Sequence, residues 1–336
     1  MCTGIFIKTE NNEYVVARTL EFGIPINFSQ ICNDFLFATK GNFIGSKKEY
    51  IFDALNKFGL FIGVFYYPHM DSQYKNQLNT ELINLYNGNF APYVLLNCKN
   101  VADVIEILPK INILQSIVNG NKYSLHWLVC DKFGKCIVIE VNNNKLIYYN
   151  NPYGCITNSP SFPEHIQELK SLKNLSIYTK PNSWSEGTGA LGLPGDFSSK
   201  SRFIRAVFFR ENLPIPENSI QAMRILNNTL TNFNIPLGSV VNPSTNSAEI
   251  TQYTVSYSLN NFEVQYANRG FTYDKKNEWK FTKEPVDICW IQTVNIWFLI
   301  FFIIVIIGLV KNKHKEIPKL PIIKEILEVL PFEIFI

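Results

Sequence analysis

The sequence predicts an α+β domain in which two packed β-sheets are flanked by helices. Strand-like runs dominate the first half of the chain and return near residue 250, and segments of helical periodicity lie between them. The 336 residues are 46% hydrophobic and 14% aromatic. This apolar content is sufficient for a large core and excludes a disordered chain.

The strand predictions rest on runs rich in β-branched and aromatic residues between polar turns. Residues 3–8 and 13–20 are separated by Glu-Asn-Asn, which predicts a hairpin. Residues 59–67 are apolar throughout, as expected for a strand covered on both faces. Later runs predict a three-strand meander and a final hairpin, at residues 123–130, 136–141 and 146–150, then 250–259 and 262–267.

Five segments show the periodicity of amphipathic helices. The second is preceded by a polar stretch that ends at Asn100, and the third has Pro163 in its first turn, where the missing N–H of proline is tolerated. The predicted helices cover residues 90–98, 101–108, 163–172, 202–210 and 219–230.

The chain changes character after residue 285. Residues 296–310 contain only Gly308 outside the hydrophobic set, and few polar residues interrupt 288–310. A helix of fifteen residues spans about 22 Å, so only the longer stretch reaches across the ~30 Å hydrocarbon core. Because a buried core helix would show a polar face, we predict a hydrophobic transmembrane helix over 288–310 and a basic and apolar tail over 311–336.

This helix implies a membrane-associated protein with a single C-terminal pass. Five lysines follow the helix, and the positive-inside tendency places them in the cytosol. No secretory signal precedes Cys2, which indicates cytosolic maturation of the preceding domain. The two indications conflict, so the side of the membrane on which the preceding domain lies stays open.

Composition argues against two kinds of site. The net charge is +3 and the basic residues are scattered, so no nucleic-acid partner is expected. The seven cysteines form no CxxC and the four histidines no HxxxH pair, so no disulfide framework and no metal site is predicted. His126 could partner a catalytic cysteine, but its strand-like surroundings favour a packed strand histidine.

Cys2, directly behind the initiator methionine, points to chemistry. Cells commonly remove a methionine that precedes a small residue, and the mature chain would then begin with Cys2 and a free α-amine. An α-amino group titrates near ~7.7–8.0 and a thiol near ~8.5, so the amine can accept the thiol's proton near neutral pH. By position alone, Cys2 is better explained as a chance residue in a frayed terminus.

The rest of the chain favours a catalytic role for Cys2, because five motifs occur in the order seen in the choloylglycine hydrolase family. They are Met-Cys-Thr-Gly at 1–4, Ala-Arg-Thr-Leu-Glu-Phe-Gly at 17–23, Ile-Thr-Asn-Ser-Pro at 156–160, Leu-Pro-Gly-Asp-Phe at 193–197 with Ser-Arg-Phe at 201–203, and Thr-Gln-Tyr-Thr at 251–254. The chain resembles this family, which contains conjugated bile-salt hydrolases and penicillin V acylases, from Cys2 to about Ala267. The resemblance implies a four-layer αββα N-terminal-nucleophile fold, with an amidase domain over residues 2–285.

The resemblance also implies roles for the matching residues. Cys2 is the nucleophile, and its own α-amine is the proton acceptor. Arg18 is the cation that supports the thiolate, since a nearby guanidinium favours the charged sulfur. Glu21 stands where the family usually has aspartate, and it would orient the α-amine with one more methylene of reach. Arg202 matches the remaining family arginine, whose fork of donors ties the site together.

Two residues are assigned to the oxyanion hole. Asn158 matches the family asparagine, whose side-chain donor is typically worth about 10²- to 10³-fold in rate. The second donor falls in residues 65–68, where bile-salt hydrolases tend to have Asn and penicillin V acylases Tyr, and alignment to Pro68 assigns it to Tyr66. Ordinary structural explanations also exist: a surface ion pair for Arg18, a turn acid for Glu21, a turn residue for Asn158, and pairing of Arg202 with Asp196.

The implied reaction is hydrolysis of the C–N bond of a linear amide through an acyl-enzyme intermediate, with no metal or organic cofactor. The expected partner is a small acyl amide such as penicillin V, a conjugated bile salt or an N-acyl homoserine lactone, and Tyr66 favours an aryl- or fatty-acyl amide. A homo-oligomer, a tetramer in the family, stays an open expectation. The segment between Asn158 and residues 187–189 is shorter than in the bile-salt hydrolases of Gram-positive bacteria, where it helps to form the tetramer.

A second hypothesis comes from the unusual C-terminus. Beyond residue 281 the chain shows no resemblance to the family, and the missing part could be one that the fold needs. The alternative is therefore a catalytically idle, membrane-tethered relative that acts as a binding protein.

Overall fold

The computed structural model describes residues 1–292 except 24–25, 34–35, 44–47, 119, 173–174, 179–189, 243–245, 269–270, 274–278 and 282–287. In chain order the strands are β1 (Cys2–Lys8), β2 (Tyr14–Phe22), β3 (Ile26–Asn33), β4 (Leu36–Phe43), β5 (Tyr50–Asn56), β6 (Leu60–Tyr66), β7 (Ile83–Tyr86), β8 (Ile111–Leu114), β9 (Ser116–Val118), β10 (Asn121–Tyr123), β11 (Leu125–Asp131), β12 (Cys136–Asn142), β13 (Lys145–Asn150), β14 (Cys155–Ile156), β15 (Val241–Asn242), β16 (Ser247–Ala248), β17 (Ile250–Ser258), β18 (Glu263–Asn268), β19 (Phe271–Tyr273), β20 (Trp279–Phe281) and β21 (Ile288–Gln292). The α-helices are α1 (Phe90–Asn97), α2 (Val101–Ile107), α3 (Phe162–Ser171), α4 (Ser199–Asn212) and α5 (Ser219–Leu230). Short 3-10 turns cover Asp71–Gln73, Asn87–Asn89, Leu108–Lys110 and Thr231–Phe233.

Two antiparallel sheets dominate the described part of the chain. One has six strands in the order β14-β1-β2-β17-β18-β21, and the other has seven in the order β13-β12-β11-β6-β5-β4-β3. The sheets face each other, since the Arg18 side chain on β2 donates hydrogen bonds to carbonyls of β5 and β6. Helices α4 and α5 pack on the six-stranded sheet, and α1 and α2 pack on the seven-stranded sheet.

The alternation of side chains explains how each sheet contributes to two hydrophobic layers. On β11, Leu128 and Cys130 point into the core between the sheets, whereas Trp127 and Val129 point into a second core under α1 and α2. Strand β1 is buried in six of its seven residues because the second sheet covers one face and α4 the other. These layers form the αββα sandwich that the resemblance implies.

Most of the predicted elements are present, with shifted ends. The predicted helix over 202–210 begins at Ser199, because the side chain of Ser198 accepts a hydrogen bond from Ser201 N and caps the helix three residues earlier. The helix predicted over 163–172 is α3, which carries a capping box formed by Ser161 and Glu164. His126 is a packed strand histidine, as predicted, and is 1% exposed on β11.

Residues 288–292, the predicted start of the transmembrane helix, form a strand instead. Ile288–Gln292 pairs antiparallel with β18, with Tyr266 opposite Cys289. No helix within the described residues is long and apolar enough to cross a membrane. Residues 293–336, which contain the rest of that predicted helix and the tail, lie outside the described residues, so membrane anchoring through them stays a prediction.

The two sheets approach closely at Gly4. A Cβ atom built on Gly4 would lie 2.8 Å from Cζ of Phe65 and 3.0 Å from Cγ2 of Ile156. These distances are tighter than ordinary contacts of a methyl group, so an alanine at residue 4 would force the side chains of Phe65 and Ile156 to shift.

We therefore expect Gly4→Ala to lower the free energy of unfolding by about 1–3 kcal/mol through overpacking. The measurement is urea unfolding followed by fluorescence. Gly195→Ala is the matched control, because a Cβ atom on Gly195 would meet no heavy atom within 4 Å. Equal unfolding midpoints for the two variants would contradict the expectation.

Candidate active site

The hairpin of β1 and β2 brings three of the sequence-predicted residues together. Cys2 is paired with Leu20 and Gly4 with Arg18 in the antiparallel register. Glu21 follows Leu20, and its backbone N–H donates to Met1 O at 2.8 Å. A nine-residue strand thus places an arginine and a glutamate next to the start of the neighbouring strand.

The Asn158 side chain links three elements of the site. Its Oδ1 accepts hydrogen bonds from the backbone N of Cys2 and from Nη2 of Arg202, both at 2.8 Å. Its Nδ2 donates to the carbonyl of Tyr66 at 2.7 Å. An amide NH₂ carries two donors, so a second N–H remains for another acceptor.

Buried polar groups hold the backbone that carries Asn158. Asn158 N donates to Ser199 Oγ at 2.8 Å, and Nε2 of His165 lies 2.8 Å from Asn158 O. Nε2 of His126 lies 3.1 Å from the carbonyl of Thr157. Burial lowers the pKa of His165 to about 4, so its imidazole is neutral at neutral pH and can donate one N–H to the Asn158 carbonyl.

Arg202 is fully buried and joins α4 to the start of β1. Its Nη1 donates to the carbonyl of Cys2 and to Oγ1 of Thr3, the latter at 2.9 Å, and its Nε donates to Phe197 O at 2.9 Å. Burial lowers the pKa of Arg202, while the negative charges of Glu21 and Cys2 act in the opposite direction. Arg202 thus contacts the backbone of Cys2 directly.

Asp196 forms hydrogen bonds to serine residues at the start of α4, instead of the pairing with Arg202 that the sequence also allowed. Its carboxylate accepts hydrogen bonds from Ser198 N at 2.8 Å and from Ser201 Oγ at 2.6 Å. These bonds lower the pKa of Asp196 to about 2. Asp196 therefore stabilises the first turn of α4, and the described hydrogen bonds of Arg202 go to other groups.

Arg18 is held between the sheets by carbonyl groups of the opposite sheet. Its Nη1 donates to Phe52 O at 2.7 Å and to Val64 O at 2.8 Å, and its guanidinium lies 4.5 Å from the centre of the Phe65 ring. Its Nη2 is buried and has no hydrogen-bond partner among the described residues. This leaves one arm of a buried cation free to interact with a negative charge such as a thiolate.

The charge on Arg18 is secured by its surroundings. Burial is the largest single influence and lowers the pKa of Arg18, but the attraction of Tyr253, Cys2, Asp53 and Glu21 together raises it above the ordinary value. The guanidinium therefore stays charged despite having no exposed surface.

Asp53, a buried residue that the sequence did not predict as part of the site, lies next to Arg18. The Asp53 carboxylate lies 3.5 Å from Arg18 Nη1 and accepts hydrogen bonds from the hydroxyl groups of Tyr253 and Tyr257. The one signal in the sequence was an isolated acid within the apolar run of β5. Its partners lie about 200 positions away, since both tyrosines are on β17.

Glu21 is also fully buried, next to the α-amino end of the chain. Thr251 Oγ1 donates to Glu21 Oε1 at 3.1 Å, whereas Oε2 has no hydrogen-bond partner among the described residues. Burial raises the pKa of Glu21, and the nearby terminal ammonium and Arg202 partly counter this effect. The ammonium of Met1 lies 3.6 Å from Glu249 Oε2.

An apolar pocket opens at Cys2. Its wall is made mainly of aromatic and aliphatic side chains, which come from both sheets and from the β9–β10 hairpin. They include Leu20, Phe22, Phe43, Tyr50, Phe52, Val64, Tyr66, Val118, Tyr123 and Leu125.

Tyr66 lies beside Asn158 and contacts it through its backbone carbonyl. The carbonyl of Tyr66 accepts the Asn158 amide, so Tyr66 anchors the proposed oxyanion donor. Its ring lines the pocket and lies 5.9 Å from the ring of Tyr123 and 6.2 Å from that of Phe22. A donor role for Tyr66 stays a prediction.

The comparison with known proteins agrees with this geometry. A family model described as linear amide C–N hydrolases, choloylglycine hydrolase family, matches residues 2–277. The chain belongs to this family. The resemblance inferred from the five motifs is thereby confirmed.

Individual members of the choloylglycine hydrolase family match over most of the chain. An uncharacterized protein of Paramecium bursaria Chlorella virus 1 is 39% identical over 277 residues, which cover 79% of this chain and 96% of the viral protein. A bile salt hydrolase/transferase of Clostridium perfringens is 30% identical over 289 residues, 76% of this chain and 85% of that protein. The crystal structure of a variant of conjugated bile acid hydrolase from Clostridium perfringens matches with a TM-score of 0.71 at 27% identity, covering 88% of this chain and 100% of that chain.

We expect the raised pKa of Glu21 to make it a source of instability at neutral pH. A carboxyl group whose pKa is raised on folding stabilises the folded state only while it is protonated, and this contribution is lost as pH rises through the folded-state pKa. The free energy of unfolding of the wild type should therefore fall relative to that of Glu21→Gln as pH rises from below the ordinary glutamate pKa.

The measurement is urea unfolding of both proteins over a series of pH values. Glu10→Gln serves as the control for loss of one carboxylate, because Glu10 is exposed. A difference between the wild type and Glu21→Gln that does not vary with pH would show that burial does not penalise the Glu21 carboxylate.

Proposed function

We propose that the protein hydrolyses the C–N bond of linear acyl amides, with Cys2 as an N-terminal nucleophile. The observation that supports this most strongly is the convergence on Cys2 of two buried guanidinium groups and the Asn158 amide at the base of an apolar pocket. A thiol in such surroundings is suited to nucleophilic attack, because nearby cations favour the thiolate.

Removal of Met1 is the first requirement of this mechanism. The backbone N of Cys2, already 2.8 Å from Asn158 Oδ1, would become the α-amine without moving from its acceptor. The free Oε2 of Glu21 is then available to the new ammonium group. The α-amine takes the thiol proton, and Arg18 Nη2 supports the thiolate.

The acyl transfer then proceeds in two steps. The Cys2 sulfur attacks the amide carbon, and the second N–H of Asn158 Nδ2 stabilises the tetrahedral oxyanion. The C–N bond breaks as the amine leaves with a proton from the α-ammonium, which gives a thioester. Water, deprotonated by the same α-amine, cleaves the thioester and restores the Cys2 thiol.

The pocket favours an acyl group that is apolar and flat or chain-like. Phe22, Phe43, Tyr66 and Tyr123 present rings along its wall, and such rings bind aryl groups and acyl chains by apolar contact. Aryl-acyl amides such as penicillin V and fatty-acyl amides such as N-acyl homoserine lactones are therefore the proposed substrates, ahead of conjugated bile salts.

The decisive experiment joins mass spectrometry to an amide-cleavage assay. We expect the purified protein to lack Met1 and to cleave one of these amides, and we expect Cys2→Ser to lose about 10³-fold or more of kcat/KM. Cys98→Ala, which changes a buried thiol of the second core, should retain activity.

Retained Met1, or equal activity of the wild type and Cys2→Ser, would favour the alternative function, a catalytically idle binding protein. Tight binding of the same amides without turnover would then support that alternative.

Loss of the Asn158 side chain tests the oxyanion assignment. Asn158→Ala removes the donor aimed at the oxyanion, so we expect kcat to fall by about 10²- to 10³-fold with a smaller change in KM. Steady-state kinetics with one amide substrate measures both. A rise in KM alone would instead assign Asn158 to substrate binding.

A further inference from the structure

Two cysteines outside the site face each other across the hairpin of β11 and β12. Cys130 and Cys136 are direct partners in the antiparallel register, and their sulfur atoms are 3.2 Å apart. Asp131 N donates to Lys135 O at 3.0 Å and closes the turn. Because hydrogen-bonded and non-hydrogen-bonded pairs alternate along an antiparallel ladder, Cys130 and Cys136 occupy a non-hydrogen-bonded pair.

The backbone geometry of this pair suits a covalent link. Opposite residues in a non-hydrogen-bonded pair have Cα atoms about 4.5 Å apart, within the range of about 4.4–6.8 Å found in disulfides. Both side chains point to the same face of the sheet, since both contribute to the core between the two sheets. Bond formation therefore needs a side-chain adjustment rather than a shift of the strands.

The two thiols differ in access. Cys136 is partly exposed, whereas Cys130 is fully buried. Burial and the neighbouring Cys136 raise the pKa of Cys130. An oxidant from solution therefore reaches Cys136 first, and Cys130 is placed to react with the product.

We propose that Cys130 and Cys136 form an oxidation site that closes to an intramolecular disulfide in the presence of a hydroperoxide. In the first step the Cys136 thiol cleaves the O–O bond, becomes a sulfenic acid and releases an alcohol or water. The Cys130 sulfur then attacks the Cys136 sulfur, the S–S bond forms, and the sulfenic hydroxyl leaves as water with the Cys130 proton. The two thiols lose two electrons in total, and the peroxide takes them up.

A third thiol, that of Cys155, offers a different partner for Cys136. Cys155 lies on β14 of the opposite sheet, and its pKa is raised by burial and also by Cys136. A bond from Cys136 to Cys155 would link the two sheets instead of clamping one hairpin. The distance of 3.2 Å and the direct register favour Cys130.

Peptide mapping of the intact wild-type protein tests the proposal. The protein is treated with hydrogen peroxide, its remaining thiols are alkylated, and it is digested with trypsin without reduction. Lys132 and Lys135 lie between the two cysteines, so trypsin separates them into peptides 123–132 and 136–145. We expect these peptides to be joined with the loss of two hydrogens, and a reductant to separate them.

Two outcomes would overturn the proposal. One is peptide 136–145 carrying a sulfinic or sulfonic acid while Cys130 is alkylated, and the other is peptide 136–145 joined to the peptide that contains Cys155. Neither result depends on amide cleavage, so the proposal stands or falls separately from the proposed function.

Matched variants extend the test to stability. We expect oxidation to raise the Tm of the wild type by about 3–6 °C, because a disulfide restricts the unfolded chain. Cys136→Ala should abolish both the joined peptides and the rise in Tm, whereas Cys155→Ala should retain both. A rise in Tm that persists in Cys136→Ala would assign the effect to another residue and contradict the proposal.

Discussion

The site depends on the burial of two guanidinium groups, those of Arg18 and Arg202, which have no exposed surface. Removing a charged group from water costs several kcal/mol per ion unless the protein supplies partners. Main-chain carbonyls supply most of them. Arg18 uses carbonyls of β5 and β6, and Arg202 uses those of Cys2 and Phe197.

Because these carbonyls belong to different layers of the sandwich, neither arginine can be satisfied by local structure. Arg18 requires the two sheets to be packed, and Arg202 requires α4 to be docked on β1. The positive charge next to Cys2 is therefore present only when the complete domain is folded. This coupling explains why the charged cluster lies at the centre of the sandwich instead of in a surface loop.

Whether the sequence predicted a part of this site depended on how far apart in the chain the contacting residues lie. Cys2, Arg18 and Glu21 were predictable because one hairpin places them side by side. Asp53 was not, since it acquires its role only through contact with Tyr253 and Tyr257 on a distant strand. Strands β3 and β4 were missed for a related reason: their polar and apolar residues do not alternate regularly. Their positions follow from the pairing of β4 with β5 and of β3 with β4.

The thiols of this chain fall into two groups that differ in their surroundings. Cys2 lies close to two cations and lines a pocket. Cys130 and Cys155 lie in the apolar core, where burial raises their pKa and keeps them protonated. The proposed reactivity of Cys2 therefore depends on nearby charge, whereas the proposed reactivity of Cys130 depends on a partner thiol within contact distance. Burial makes a lone core cysteine unreactive. A buried cysteine with a partner can react only where the register of its strands places the two sulfur atoms in contact.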